Sequence, residues 1–329
     1  MELLPYFIAI PVLALLIDLV LGEPPNRLHP VVWIGRTIGL LDRRVRRGSA
    51  AREKAAGVLV VVLPALLFVL AFTLILALTR ELLGTIIWAV ASAVVLKTMF
   101  AIRALETHTA PMVEDIRKGD LDAARRKASM VVSRDVDQLD GPHIISCAAE
   151  TVSENLVDSV LSPMFFFGLA GVPGAVLLRV VNTADGMVGY LSDKHRNVGW
   201  FAARSDDVMH YLIARLSVPF IMLSLLLLGQ DWRSGWRAAM RDHGQTSSPN
   251  KGWPMAAVAG GLGVRFEKQG HYSMGEGKVS DDPTVILDTI KVMKLTSVLF
   301  FLLVLLPLFT LLGIQVQLSL EDWLLGLIW

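Results

Sequence analysis

Glu150, Glu154 and Asp158 recur at four-residue spacing, with Asn155 beside the middle one. On an α-helix, residues four and eight apart return to nearly the same azimuth, so the three acids would form one stripe. Like charges so close destabilise a helix unless a cation or a hydrogen-bond network neutralises them. A set of oxygen donors of this kind suits Mg²⁺ better than zinc. The plainer alternative is a solvated acidic face. Against it stand the small and apolar residues between the acids (Ala148, Ala149, Val152, Leu156, Val157) and the apolar run Ser162-Pro163-Met164-Phe165-Phe166-Phe167 that follows. A carboxylate stripe at the lip of a bilayer is costly unless it is used.

The whole stretch from Ser133 to Arg215 is dense in such groups. Ser133-Arg134-Asp135 precedes the turn signal Leu139-Asp140-Gly141-Pro142. A planar guanidinium at Arg134 suits a phosphate oxygen, with a plain salt bridge as the alternative. Asn182 and Asp185 would share a helix face, and Tyr190, Arg196, Arg204, Asp206 and Asp207 follow. Further on lie Thr246-Ser247-Ser248-Pro249-Asn250-Lys251-Gly252-Trp253-Pro254 and Ala259-Gly260-Gly261. Glycines at that density let backbone N–H groups approach a ligand, but the order matches neither a P-loop nor a dinucleotide fingerprint.

These residues must be positioned by membrane helices. Of the 329 residues 53% are hydrophobic and the mean hydropathy is +0.55, above the roughly 45–50% apolar share of soluble domains. The expected class is all-α, polytopic, with about five to seven transmembrane or re-entrant helices and cytoplasmic helical loops. Candidate spans are Leu3–Leu21, Gly57–Thr79, Gly84–Ala101, Val160–Val181, Leu212–Leu228 and Leu295–Leu312, with Arg80-Glu81 as the turn of a transmembrane hairpin. Eight Lys or Arg within residues 22–56 and nine within 230–294 put those loops on the cytoplasmic side. Lys97 and Arg103 are expected to snorkel to the interface. Gly171-Val172-Pro173-Gly174 should break its apolar run into two half-helices, a break tolerated only against protein or a cavity. If that run and Leu212–Leu228 both spanned, the Asn182–Asp207 loop would lie outside, so a re-entrant element is expected, testable by external labelling at Asp193. One integral-membrane domain over residues 1–329 is expected, its motifs mainly at 133–215 with contributions from 18–36 and 246–264. A net charge of +1 gives no support to nucleic-acid binding. The lone Cys147 has no partner for an internal disulfide or a CxxC site, and the N-terminal run lacks the basic start of a removable signal.

The ordered set Asp18-x-x-x-Gly22-Glu23-Pro24 with His29-Pro30, Ser133-Arg134-Asp135, Glu150-x-x-x-Glu154-Asn155-x-x-Asp158, Ser162-Pro163, Pro173-Gly174-Ala175, Asn182-Thr183-x-Asp185-x-Met187-Val188-Gly189-Tyr190, Gly199-Trp200, Ala203-Arg204-x-Asp206-Asp207 and Ser248-Pro249-Asn250-x-Gly252-Trp253-Pro254 resembles the CobD/CbiB family. After Val264 the likeness loosens, and no substrate contact is expected there. The resemblance implies an adenosylcobinamide-phosphate synthase of cobalamin biosynthesis, a ligase of EC 6.3.1 type in the cell membrane with its active site at the cytoplasmic face. Such an enzyme joins the free propionate of adenosylcobyric acid to aminopropanol, or its phosphate, through an acyl phosphate made from ATP. Glu150, Glu154, Asp158 and Asp185 would then be catalytic, and these four with Asp206 and Asp207 would hold Mg²⁺. Arg134, Arg196 and Arg204 would clamp phosphate or propionate, with Asn155, Asn182, Tyr190, Asn250 and Gly260 binding substrate or ATP. Partners would be the two substrates and membrane lipid, not nucleic acid; a second copy of the chain or later corrinoid-pathway enzymes are compatible with it. Two other classes stay open. An intramembrane Mg-dependent prenyl transferase would need a long lipid cleft and no ATP, and a transporter would show flux without a covalent product.

Overall fold

In the computed structural model, which describes residues 4–45, 48–132, 135–190, 192 and 194–328, the chain is helical almost throughout. The helices are α1 (Leu4–Leu21), α2 (Pro30–Arg44), α3 (Ala50–Leu83), α4 (Thr85–Lys97), α5 (Ile102–Thr109), α6 (Pro111–Arg117), α7 (Leu121–Ala128) and α8 (Gly141–Leu156). After a π-helical turn (Val157–Leu161) come α9 (Ser162–Val188), α10 (Trp200–Leu227), α11 (Trp232–Asp242) and α12 (Gly252–Gly261). A hairpin, β1 (Arg265–Lys268) and β2 (Tyr272–Gly275), precedes α13 (Thr284–Phe300), α14 (Leu306–Leu308) and α15 (Ile314–Leu325), which follow one another through two further π-turns. Among the described residues, five helical segments are long and apolar enough to cross a membrane: Ala50–Leu83, Thr85–Arg117, Gly141–Val188, Trp200–Leu227 and Thr284–Leu325. The all-α polytopic class is the one read from composition, with a single two-stranded hairpin added among the described residues.

The chain forms two compact units, each built from discontinuous segments: residues 1–101, 162–209 and 301–329 make the first, 102–161 and 210–300 the second. In the first, α3 packs on α4, α9 and α15, and α1 packs on α4. Leu59, Leu63, Leu66, Leu67 and Leu70 of α3 are exposed, as expected of a lipid-facing side. The helix runs to Leu83 and turns at Gly84 (φ 88°). The turn therefore falls after Arg80-Glu81, because apolar Leu82 and Leu83 continue the winding and only glycine takes that φ readily.

The expected break in α9 is present and narrow. Ala170 (φ −143°, ψ 18°) and Gly171 (φ 64°, ψ −151°) leave helical geometry, and the helix then resumes through Pro173. The freed Val172 N–H donates to Gln317 Oε1 at 3.0 Å, and a Cβ on Gly171 would lie 2.1 Å from that same oxygen. Gln317 is fully buried and also donates to Glu321 at 2.9 Å. An irregular backbone in an apolar surround is thus satisfied by one side chain of α15, as burial demands.

Lys97 corrects an expectation. Instead of snorkelling it is 2% exposed, 2.9 Å from Asp18 and 2.8 Å from Glu23. His29 caps α2 by accepting from Val31 N–H, and its Nε2 meets Glu23 at 2.9 Å. Burial alone would raise the Glu23 pKa, but hydrogen bonds from His29 and Lys97, with their charge, hold it below its ordinary value.

Candidate functional site

In the second unit the site is built on α8. Asp140 caps the helix by accepting from His143 N–H at 3.0 Å, and Pro142 occupies its first turn. Cys147, Glu150, Thr151, Glu154 and Asn155 then fall on one helical face, spaced by three and four. That face lines a cavity of about 210 Å³, completed by Val131, Val132, Lys251, Lys268 and Tyr272.

Lys268 and Tyr272 come from the hairpin. They are directly opposed partners across its three-residue turn, and in such a turn a glycine takes the left-handed position, here Gly270 at φ 74°. Side chains two apart share a sheet face, so Lys268 and Tyr272 project on the same side as Phe266 and Met274. Those two are 1% and 0% exposed, which identifies the face as the inward one.

The two glutamates differ in their holding. Glu150 is 4% exposed and accepts from Ser146 Oγ at 2.5 Å and from Tyr272 Oη at 2.6 Å. Ser146 Oγ in turn accepts from Glu267 N–H at 2.8 Å, so one carboxylate ties both strands of the hairpin to α8. Glu154 is more open and pairs with Lys251 Nζ at 2.6 Å.

Asp158 leaves the expected stripe. The α-helix ends at Leu156 and the next turn is a π-turn, whose wider winding changes the azimuth after Glu154. Asp158 is absent from the cavity lining and lies 3.7 Å from Nδ1 of the fully buried His210. Asn155 lines the cavity and accepts from Ser159 Oγ. Asn250 is buried and accepts from Arg215 at 3.3 Å, positioning the loop that presents Lys251. Gly260 serves packing: a Cβ there would sit 2.4 Å from Ala238 Cβ and 2.6 Å from Ser234 O on α11.

The first unit holds the other predicted residues. Asn182 of α9 donates to Asp206 of α10 at 3.3 Å and accepts from Arg179 at 3.3 Å. Asp185 lies one helical turn after Asn182 and close to Gly189. Arg204 sits 3.7 Å from Asp207. Tyr190 is half exposed, and Arg196 is exposed in the α9–α10 connection. Arg134, and Asp193 of the labelling test, lie outside the described residues.

Among the described residues no three or more His, Cys, Asp or Glu side chains group as a metal-holding set. Glu150 instead meets hydroxyls, Glu154 a lysine, Asp158 a histidine, Asp206 an amide and Asp207 an arginine. That donor chemistry does not fit an all-protein Mg²⁺ cage. It fits the lesser demand of a nucleotide-borne ion, which needs only one or two carboxylates beside phosphate and water.

Sequence reading missed Lys251, Lys268, Tyr272 and His210. Lys251 stood inside a quoted motif, whereas Lys268 and Tyr272 lie where the family likeness loosens; only the alternation across Gly270 pointed to a hairpin.

The profile described as CobD/Cbib protein matches residues 11–305. "Probable cobalamin biosynthesis protein CobD" of Methanothermobacter thermautotrophicus is 42% identical over 295 residues, covering 90% of this chain and 96% of that one. "Cobalamin biosynthesis protein CobD" of Dehalococcoides mccartyi is 38% identical over 276 residues (84% and 88%), and the Klebsiella pneumoniae protein of that name 39% over 256 residues (77% and 80%). No solved structure matches. With a family profile extending from α1 to the π-turn before α14, and relatives aligned over most of both chains, this chain belongs to the CobD/Cbib protein family.

Proposed function

We propose that the protein is a multi-pass membrane enzyme of cobalamin biosynthesis that forms an amide between the free propionate of adenosylcobyric acid and aminopropanol or its phosphate, with ATP as co-substrate. Family membership supports the pathway, and the relatives' names place them in it. The observation that carries the chemistry is the cavity on α8, where two glutamates and two lysines converge with Tyr272.

A carboxylate does not react with an amine at neutral pH. In the proposed reaction a propionate oxygen attacks the terminal phosphorus of ATP, giving an acyl phosphate and ADP. The amine nitrogen then attacks the acyl carbon, and inorganic phosphate leaves. The amine arrives as an ammonium and must lose a proton before it attacks. Glu154, partly open to solvent, accepts that proton and passes it to water, while Glu150 anchors the ammonium through a carboxylate fixed by Ser146 and Tyr272. Lys251 and Lys268 offset negative charge in the same cavity. Magnesium carried by the nucleotide would supply charge neutralisation at its phosphates. In this reading the active site works at the cytoplasmic face, where ATP is available.

The test uses membranes carrying the protein, given adenosylcobyric acid, aminopropanol or its phosphate, and Mg-ATP. The expected result is an amide product that depends on all three. Absence of product with both amines rejects the reading.

A further inference from the structure

We infer that α11 is an interfacial helix lying in the headgroup layer of an anionic bilayer, with Trp232, Trp236 and Met240 in the acyl boundary and Arg233 and Arg237 on lipid phosphates. Its packing is inverted. Positions four apart on a helix advance by only about 40°, so Trp232, Trp236 and Met240 form one stripe, and Arg233, Arg237 and Arg241 form a second beside it. All six are exposed, whereas the buried residues are Gly235, Ala238, Ala239 and Asp242. Small side chains turn inward and two indoles turn outward, against the usual trend for apolar bulk. α7 of the same unit shows what a water-facing helix looks like. It also buries alanines, Ala124 and Ala128, but its exposed helical positions are the charged Asp122 and Arg126.

Three features make lipid the cover for that stripe. The first is position. α10, long and apolar enough to cross a membrane, ends at Leu227 with Leu226, Leu227 and the following Leu228 exposed. Residues 228–231, turned at Gly229 (φ 71°), join it to α11. Four residues reach at most about 14 Å, so α11 starts where the span leaves the bilayer. The second is fixation. A Cβ on Gly235 would sit 2.9 Å from Ala257 O of α12 and 3.0 Å from Leu225 of α10, so the helix cannot roll to bury its indoles. The third is charge. Asp231 is used in capping the helix, and Asp242 is turned inward with Arg241 paired to it and to Glu276. Arg233 rests 5.2 Å from the centroid of the Trp232 ring, and Arg237 donates to Ser234 Oγ at 2.9 Å. A guanidinium carries five donors in a planar fork that suits a phosphodiester. Tryptophan at the boundary with arginine at headgroup height is the arrangement of a helix lying in that layer.

The experiment places the full chain, carrying Cys147→Ser, in bilayer discs of phosphatidylcholine and phosphatidylglycerol, with a spin label at Met240→Cys or, as the water-facing control, at Arg126→Cys. Collisions with oxygen, which concentrates in lipid, are compared with collisions with a water-soluble nickel chelate. The label at position 240 should favour oxygen at least about threefold more than the label at 126. Headgroup choice is read by native mass spectrometry after exposure to an equal mixture of the two lipids. The parent should retain phosphatidylglycerol in preference. Arg233→Gln with Arg237→Gln should lower that preference by about fivefold or more, and Arg233→Lys with Arg237→Lys should keep most of it. Each variant is first required to melt within a few degrees of the parent. A chain retaining Cys147, with the parent's own labelling subtracted, or Arg237→Gln alone, replaces any that does not. A label at 240 that meets the nickel chelate as readily as the one at 126 overturns the proposal. So does equal retention of the two lipids by the parent, or an unchanged preference in the glutamine pair. A label shielded from both reagents gives the face to protein, to a second copy if the chain also runs as a dimer, and overturns it as well.

Discussion

The buried charges of the first unit and the charged cavity of the second make an instructive pair. Lys97 meets Asp18 at 2.9 Å and Glu23 at 2.8 Å, with Asp18 fully buried and Lys97 nearly so. Glu321, also fully buried, receives Trp88 Nε1 at 3.0 Å and Gln317 Nε2 at 2.9 Å. These groups tie helices together: α1 to α4, and α15 to α4 and to the break in α9. On α8 the same residue types border an open volume, and their ion pair is partly exposed. An acid among membrane helices is a candidate for function, but burial and a good partner do not separate fastener from site. Adjoining space, bordered by both signs of charge, does.

That contrast can be broken most sharply at Lys97. Lys97→Met takes the lysine from the buried Asp18 and leaves Glu23 with His29, and should destabilise the protein by about 3–5 kcal/mol. The pair Asp18→Asn with Lys97→Met should recover much of the loss. A thermal melt in detergent checks both, and a Lys97→Met protein with parental stability would refute the fastener reading.

Gln317→Leu comes next. It strands the Val172 N–H inside the first unit and should cost about 1–3 kcal/mol in the same measurement.

In the cavity the balance should reverse. Tyr272→Phe removes a donor to Glu150 and should lower amide formation by about tenfold. Its melting temperature should fall less than that of Lys97→Met. A large stability loss with normal turnover would place Tyr272 among the fasteners.

The smallest effect concerns pH. Burial alone would raise the Asp242 pKa, but hydrogen bonds from Arg241, Gly275 N–H and Gln245, with the Arg241 charge, hold it below its ordinary 3.8. A folded-state pKa below the unfolded one contributes stability above about 3.8, lost as pH falls through the folded value. Asp242→Asn should flatten the decline in melting temperature on acidification below pH 5. The change is modest because Arg241 is half exposed.

Much of this was legible before any fold was known. Apolar length located the spans, and Gly171-Val172-Pro173 located the break, because glycine and proline act on their own backbone. The Glu150–Glu154 face was legible because helical periodicity is local. The π-turn was not, since nothing in Val157-Asp158-Ser159 announces a change of winding, and it is what takes Asp158 off the stripe. Lys268 and Tyr272 were missed for another reason. Tyr272 meets Glu150 across 122 residues of chain, and no local pattern encodes a partner at that separation. Lys97 was misjudged because a lysine near a helix end reads the same whether its ammonium turns to water or inward to an acid.

Cys147 is the sole cysteine of the chain, and its buried side chain borders the cavity. With its side chain shielded from bulk solvent, the sulfur would be reached by way of the cavity, so occupancy by a ligand would slow its labelling. The protein carries its own thiol footprinting label.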